Sequence, residues 1–304
     1  MKYQVFFTDH YPLPLPTEHR FPETKYRLLR QKLVEDEILS IDQILPARMA
    51  SVEELCLAHS ADYVRDFESG EVDHQIIKRI GLPWSPELYR RSAASVGGAL
   101  MAIEAALRDG AAGCLAGGTH HAHEDRGEGY CVFNDLAVGA RWLKLKFPKM
   151  KVAIVDLDVH QGNGNSSILA NDKDVFVASI HGAKNYPFKK IPSSFDIALP
   201  DFVEDKEYLE ALSVLIEQVG LFQPDYVFYQ MGVDPLKEDK LGKMNLTFDG
   251  LMKRDQMVFD FCLKKGCPVS LALGGGYADP IDLSVQAYAN TYRVLNRTLT
   301  AQGL

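Results

Sequence analysis

The chain has 304 residues, 46% of them hydrophobic and 24% charged, and Lys+Arg 33 against Asp+Glu 41 leave a net charge of -8. This is ordinary globular composition with enough apolar material for a substantial core, which excludes a mini-protein or a low-complexity segment. The negative balance disfavours a surface that neutralises nucleic-acid phosphates, so basic peptides or amines are the better-matched partners.

No apolar run reaches the roughly 18 residues of a membrane span, and the N-terminal stretch is too short for a signal sequence. The cysteines, Cys56, Cys114, Cys131, Cys262 and Cys267, include no Cys-x-x-Cys pair, so neither a disulfide framework nor a thiolate zinc knuckle is expected. The expectation is a cytoplasmic protein.

With no internal repeat and no linker-like stretch, residues 1–304 read as one domain. In chain order, Ser85-Pro86-Glu87 opens a helix with a capping Ser and a Pro at its first position, and the pattern runs to Arg108 before Gly110 stops it. Gly113 to Ala116 then reads as a buried strand, Asn134 as the cap of a helix from Asp135 to Lys146, and Val152 to Val155 as a second strand. Val175 to Ile180 is a third strand, Lys206 to Val219 a helix, and Tyr226 to Gln230 a fourth strand. A helix from Gly250 to Lys265 stopped at Gly266, a strand from Val269 to Leu273, and a helix from Asp282 to Leu299 complete the series. Alternating strands and helices predict a three-layer α/β fold with a largely parallel sheet flanked by helices.

The strand ends are chemically dense. They lead into Gly117-Gly118-Thr119-His120-His121, Asp156-Leu157-Asp158-Val159-His160, Met231-Gly232-Val233-Asp234 and Gly274-Gly275-Gly276-Tyr277. A parallel sheet brings such ends to one edge, where open α/β folds place their ligands. Asp156, Asp158 and His160 share one face if the strand continues through them, and with Asp234 they offer oxygen and nitrogen donors for a divalent ion. Zinc suits that set, and so does Fe(II). The alternative is that one Asp caps the next helix while the others bind backbone amides. Paired histidines near neutrality suit proton transfer, and Tyr277, presented by three glycines, suits a donor to a developing oxyanion.

Together these residues resemble the histone deacetylase superfamily, the arginase/deacetylase-like fold of zinc-dependent acyl-lysine and acylpolyamine amidohydrolases. The resemblance rests on Gly117 to Ala122, Gly129-Tyr130-Cys131-Val132-Phe133-Asn134-Asp135, Asp156 to Gly164, Gly232 to Leu236 with Asp239-Lys240-Leu241-Gly242, and Gly274 to Tyr277, in family order. It covers about His10 to Leu295. The segments Ser179 to Pro187 and Met252-Lys253-Arg254-Asp255 look most like the class IV branch and its bacterial relatives.

The resemblance implies Asp158, His160 and Asp234 as metal ligands and His121 as general base toward the attacking water. It makes His120 the electrostatic or acid partner, oriented by Asp156, and Tyr277 the oxyanion donor. It further implies a potassium site built by Asp156 with the backbone around Asp158, His160, Ser179 and Ile180. Substrate contacts fall on Gly129, whose carbonyl would accept the amide N–H, on Gly275, and on Tyr130 and Tyr186 as walls of an acyl-lysine tunnel. Arg20 resembles an arginine of the internal channel. Asn163 stands where several branches carry Asp, which implies a less basic His121. The expected substrate is an acyl-lysine protein or peptide, acetylated or carrying a longer fatty acyl group. An acylated polyamine, a small-molecule amide, an arginase-type guanidino substrate and a non-catalytic binding module remain the alternatives.

Overall fold

A computed structural model describes residues 3–301. Eight strands form one sheet: β1 (Gln4–Phe7), β2 (Ile44–Pro46), β3 (Ala111–Cys114), β4 (Val152–Asp156), β5 (Val175–Gly182), β6 (Phe195–Leu199), β7 (Tyr226–Gln230) and β8 (Val269–Ala272). Their order is β2-β1-β3-β8-β7-β4-β5-β6, and every neighbouring pair is parallel. The helices among the described residues are α1 (Lys25–Glu35), α2 (Val52–Leu55), α3 (Ala61–Ser69), α4 (His74–Ile80), α5 (Pro86–Asp109), α6 (Asp135–Lys146), α7 (Asn163–Leu169), α8 (Asp205–Phe222), α9 (Phe248–Lys265) and α10 (Asp282–Ala301).

Strand side chains alternate between two cores, as a sheet covered on both faces requires. Val155, Ala178, Tyr229 and Leu271 pack with α1, α8, α9 and α10, while Ile154, Val177, Phe228 and Ala272 pack with α5 and α6. The predicted three-layer α/β architecture is therefore present, as a single α/β domain. The caps read from sequence are made: Ser85 Oγ accepts from Leu88 N at 3.1 Å, Asn134 Oδ1 from Ala137 N at 2.9 Å, and Gly110 and Gly266 end their helices in the left-handed region.

Two details differ from expectation. The first predicted strand shifts from Gly113–Ala116 to Ala111–Cys114, and β4 stops at Asp156. Asp158 and His160 thus lie beyond the ladder, of which Asp156 is the last residue in β4.

The order of the sheet positions the site. β3, β8, β7 and β4 are four adjacent central strands, and their carboxyl ends carry the four polar segments.

Candidate active site

Beyond β4 the chain turns so that Asp158 and His160 meet Asp234 from the end of β7. His160 Nδ1 lies 3.1 Å from Asp158 Oδ1 and 3.0 Å from Asp234 Oδ2. Among the described residues these three are the group able to hold a metal ion, their ligand atoms all within 4.8 Å of one another. Backbone amides orient both carboxylates: Gly275 N donates to Asp158 Oδ2 at 2.7 Å and Val159 N to Asp234 Oδ1 at 2.9 Å. Burial, with the Asp158 charge beside it, pushes the Asp234 carboxyl up to about 7. Two buried carboxylates side by side are jointly ionised only when a cation joins them, so the donor set fits a divalent ion.

Asp156 belongs to a different unit. Its Oδ2 lies 2.7 Å from His120 Nδ1, so the imidazole donates to a buried carboxylate. Burial opposes a charge on His120, but Asp156 and Asp158 outweigh it and hold the imidazole up at about 9. His121, with its ring centroid 4.1 Å from that of His120, goes the other way. Burial first, then the neighbouring His120 and His160, push it well below the ordinary imidazole range, opposed by the bond with Asn163. That bond is 2.8 Å, from His121 Nδ1 to Asn163 Oδ1. The tandem histidines are thus separated into one that favours a proton and one that does not.

A cavity of about 370 Å³ opens over this centre, lined by His120, His121, Asp158, His160 and Tyr277. Gly129, Tyr130 and Tyr186 also line it, with the Tyr186 ring edge-on to His121 at 4.9 Å and the Tyr130 ring centroid 6.1 Å from that of Tyr277. Gly129 has φ +57, and a Cβ there would meet the His121 ring at 2.8 Å, so the close approach requires glycine. Gly275 also lines the cavity, but its N–H is directed at Asp158 and its carbonyl accepts from Val233 N and Tyr288. It shapes the wall and holds the Asp158 carboxylate, so both of its backbone groups are already engaged. Ser179 and Ile180 are buried on β5, with Ser179 opposite Asp156 in the ladder.

Arg20 is exposed and does not line the cavity, because it sits in the surface turn before α1. The buried cations among the described residues are instead Lys25, Arg91 and Arg254. Lys25 Nζ donates to the carbonyls of Gly274 at 3.2 Å and Gly276 at 3.4 Å, and lies 5.1 Å from the Tyr277 ring centroid. Asp239, also outside the predicted set, accepts from Tyr277 N at 2.6 Å. Lys25→Met is expected to leave two buried carbonyls without a donor, costing about 1–3 kcal/mol of stability. A urea midpoint unchanged from that of the unsubstituted protein would show that Lys25 does not brace this loop.

The mouth reverses the charge of the molecule as a whole. Arg79, Lys184 and Lys243, all exposed, line it beside Phe188, which is 88% exposed.

A parallel sheet with a carboxylate–histidine group able to hold a metal, paired histidines and a half-buried tyrosine at its carboxyl edge defines an amidohydrolase-type centre. The chain belongs to the histone deacetylase family, whose histone deacetylase domain matches residues 19–292. It is 38% identical over 96% of its length to an uncharacterized protein of Picosynechococcus sp., of which it covers 98%. It is 30% identical to histone deacetylase 2 of Arabidopsis thaliana, with 85% of this chain and 70% of that protein aligned. Among solved structures, an HDAC homolog from Aquifex aeolicus superposes with a TM-score of 0.83 at 25% identity, over 97% of this chain and 84% of that one. Among the described residues no helix is long and apolar enough to cross a membrane.

Proposed function

We propose that this protein hydrolyses the amide of an acylated amine, with an acyl-lysine in a peptide or protein as its substrate class. The observation that carries this reading is the convergence of Asp158, His160 and Asp234, the two differently poised histidines and the Tyr277 phenol on one cavity. A zinc ion held by Asp158, His160 and Asp234 supplies Lewis acidity toward the amide carbonyl and the attacking water, and Fe(II) suits the same donors.

The side chains divide the remaining work. His121 has its Nδ1 bonded to Asn163, which leaves Nε2 to take the proton of the attacking water. His120, kept charged by Asp156, faces the developing negative charge and supplies a proton toward the leaving amine. Tyr277 donates its hydroxyl to the oxyanion. Burial pushes that phenol well above its usual range, so it stays a donor throughout the working pH range. The Gly129 carbonyl accepts the substrate N–H, and Tyr130 and Tyr186 flank the acyl-lysine stem.

The buried Asp156 carboxylate and the facing Ser179 backbone fit a potassium ion beneath the ligand loop. One Asp156 oxygen, Oδ1, meets only a long 3.3 Å contact from Asp158 N. The pairing of Asp156 with His120 also disfavours the arginase-type reading, since a second metal would need that carboxylate.

Turnover of lysine peptides acylated from acetyl to myristoyl by zinc-loaded protein tests the reading. Release of the carboxylate, with an unacylated lysine side chain left in the peptide, supports it; no release from any peptide, with metal bound, rejects it. The cationic mouth adds an expectation opposite to the one from net charge. Peptides with acidic flanking residues should show kcat/KM about 3- to 10-fold above those with basic flanks, the ratio shrinking as ionic strength rises. Equal values at low salt would mean that Arg79, Lys184 and Lys243 do not meet the carrier.

A further inference from the structure

Asn163 lacks charge, but a charged group stands behind it. Asn163 Nδ2 donates to Glu128 Oε1 at 2.6 Å, while Asn163 Oδ1 takes the His121 Nδ1 hydrogen at 2.8 Å. His123 Nε2 lies 3.2 Å from the same Nδ2 and 3.5 Å from Glu128 Oε1. Glu128 is well shielded, its side chain 13% exposed. Burial alone would raise its carboxyl, but the neighbouring His123 and the bond from Asn163 outweigh that and hold it down at about 2.

We propose that Glu128 is a positioning residue that sets the tautomer of His121 by fixing which way the Asn163 amide faces. An amide side chain has two nearly equivalent orientations, and only its partners decide between them. An ionised carboxylate accepts hydrogen bonds and cannot donate one. At 2.6 Å it therefore requires the Nδ2 face of Asn163, and the flipped amide would set two oxygens against each other. With Nδ2 turned to Glu128, Oδ1 faces His121, whose Nδ1 must then carry the hydrogen. Nε2 is left as the basic nitrogen. The flipped amide would present N–H to Nδ1, place the hydrogen on Nε2 and leave no base directed at water. A neutral Asn alone does not distinguish these states; Glu128 does.

This inference rests on the reading of His121 as base, and the test separates the two. Zinc-loaded protein labelled with nitrogen-15 histidine reports which His121 nitrogen is protonated, independently of turnover. The wild type is expected to show the Nδ1–H form. Glu128→Ala should yield a mixture of tautomers and a kcat lower by about 10- to 100-fold with KM within about twofold. Glu128→Gln, which can turn its carbonyl oxygen to Asn163, should restore the Nδ1–H form and most of the rate. A wild-type His121 protonated at Nε2, or a Glu128→Ala spectrum identical to wild type, overturns the proposal even if a variant folds poorly. Nδ1–H in the wild type with no hydrolysis of any acyl-lysine peptide leaves the tautomer assignment standing and removes the base role of His121.

Discussion

Asp158→Ala is expected to abolish stoichiometric metal binding and lower turnover by at least about 1000-fold, since Lewis-acid stabilisation is worth several kcal/mol. The substitution removes one of the two carboxylates that face His160, and it also frees the Gly275 amide that donates to Asp158 at 2.7 Å. Asp234 then loses the repulsive neighbour that raises it and shares the imidazole alone. Elemental analysis after dialysis, run beside the turnover assay, checks both halves of the expectation. Full zinc occupancy in the variant would mean that the ligands lie elsewhere. The fold should persist, because Asp158 sits in the loop after β4 and contributes nothing to the ladder.

Tyr277→Phe is expected to lower kcat by about 100- to 1000-fold while leaving KM and metal content close to wild type, the signature of a donor used in the transition state. The substitution removes only the hydroxyl. The backbone of the residue remains held by Asp239, and the carbonyls of Gly274 and Gly276 remain bonded to Lys25, so the loop keeps its place. Steady-state kinetics on one acyl-lysine peptide decides the matter. A loss below threefold would assign the oxyanion to another donor and leave Tyr277 as a wall of the cavity.

Much of this arrangement was legible in sequence because central strands are apolar on both faces. Tyr226–Gln230 appears as a run of buried residues in the structure, and the glycine stops and Ser and Asn caps fall where their chemistry puts them. The strands not anticipated, β1, β2 and β6, are only partly buried, and β2 and β6 lie at the edges, which blurs the apolar pattern. Helix α7 was hidden because Asn163-Gly164-Asn165 has the composition of a turn. The motif positions carried the three residues able to hold a metal, the histidines and Tyr277. Lys25 was missed for a different reason: a lysine in a helix normally points to water, and its carbonyl partners lie 249 and 251 residues away. Glu128 likewise gives no local sign, since its partner Asn163 lies 35 residues on. Arg20 illustrates the converse, a cation beside a plausible motif whose burial only the fold could decide.

The placement of the chemistry on β3, β8, β7 and β4 also bears on how the protein reaches its working form. These strands are neighbours in space but enter the sheet from segments around residues 111, 269, 226 and 152, so the centre closes only when the C-terminal part of the chain has arrived. Such non-local pairing is slow to form, because loop closure must precede the contacts that reward it. During synthesis, the tandem histidines and the loop after β4 emerge well before Asp234 and Tyr277, and they lack these two groups until β7 and β8 insert between β3 and β4. Chemical competence is therefore acquired at the end of folding, and a truncated chain ending before β8 carries the motifs without an assembled centre.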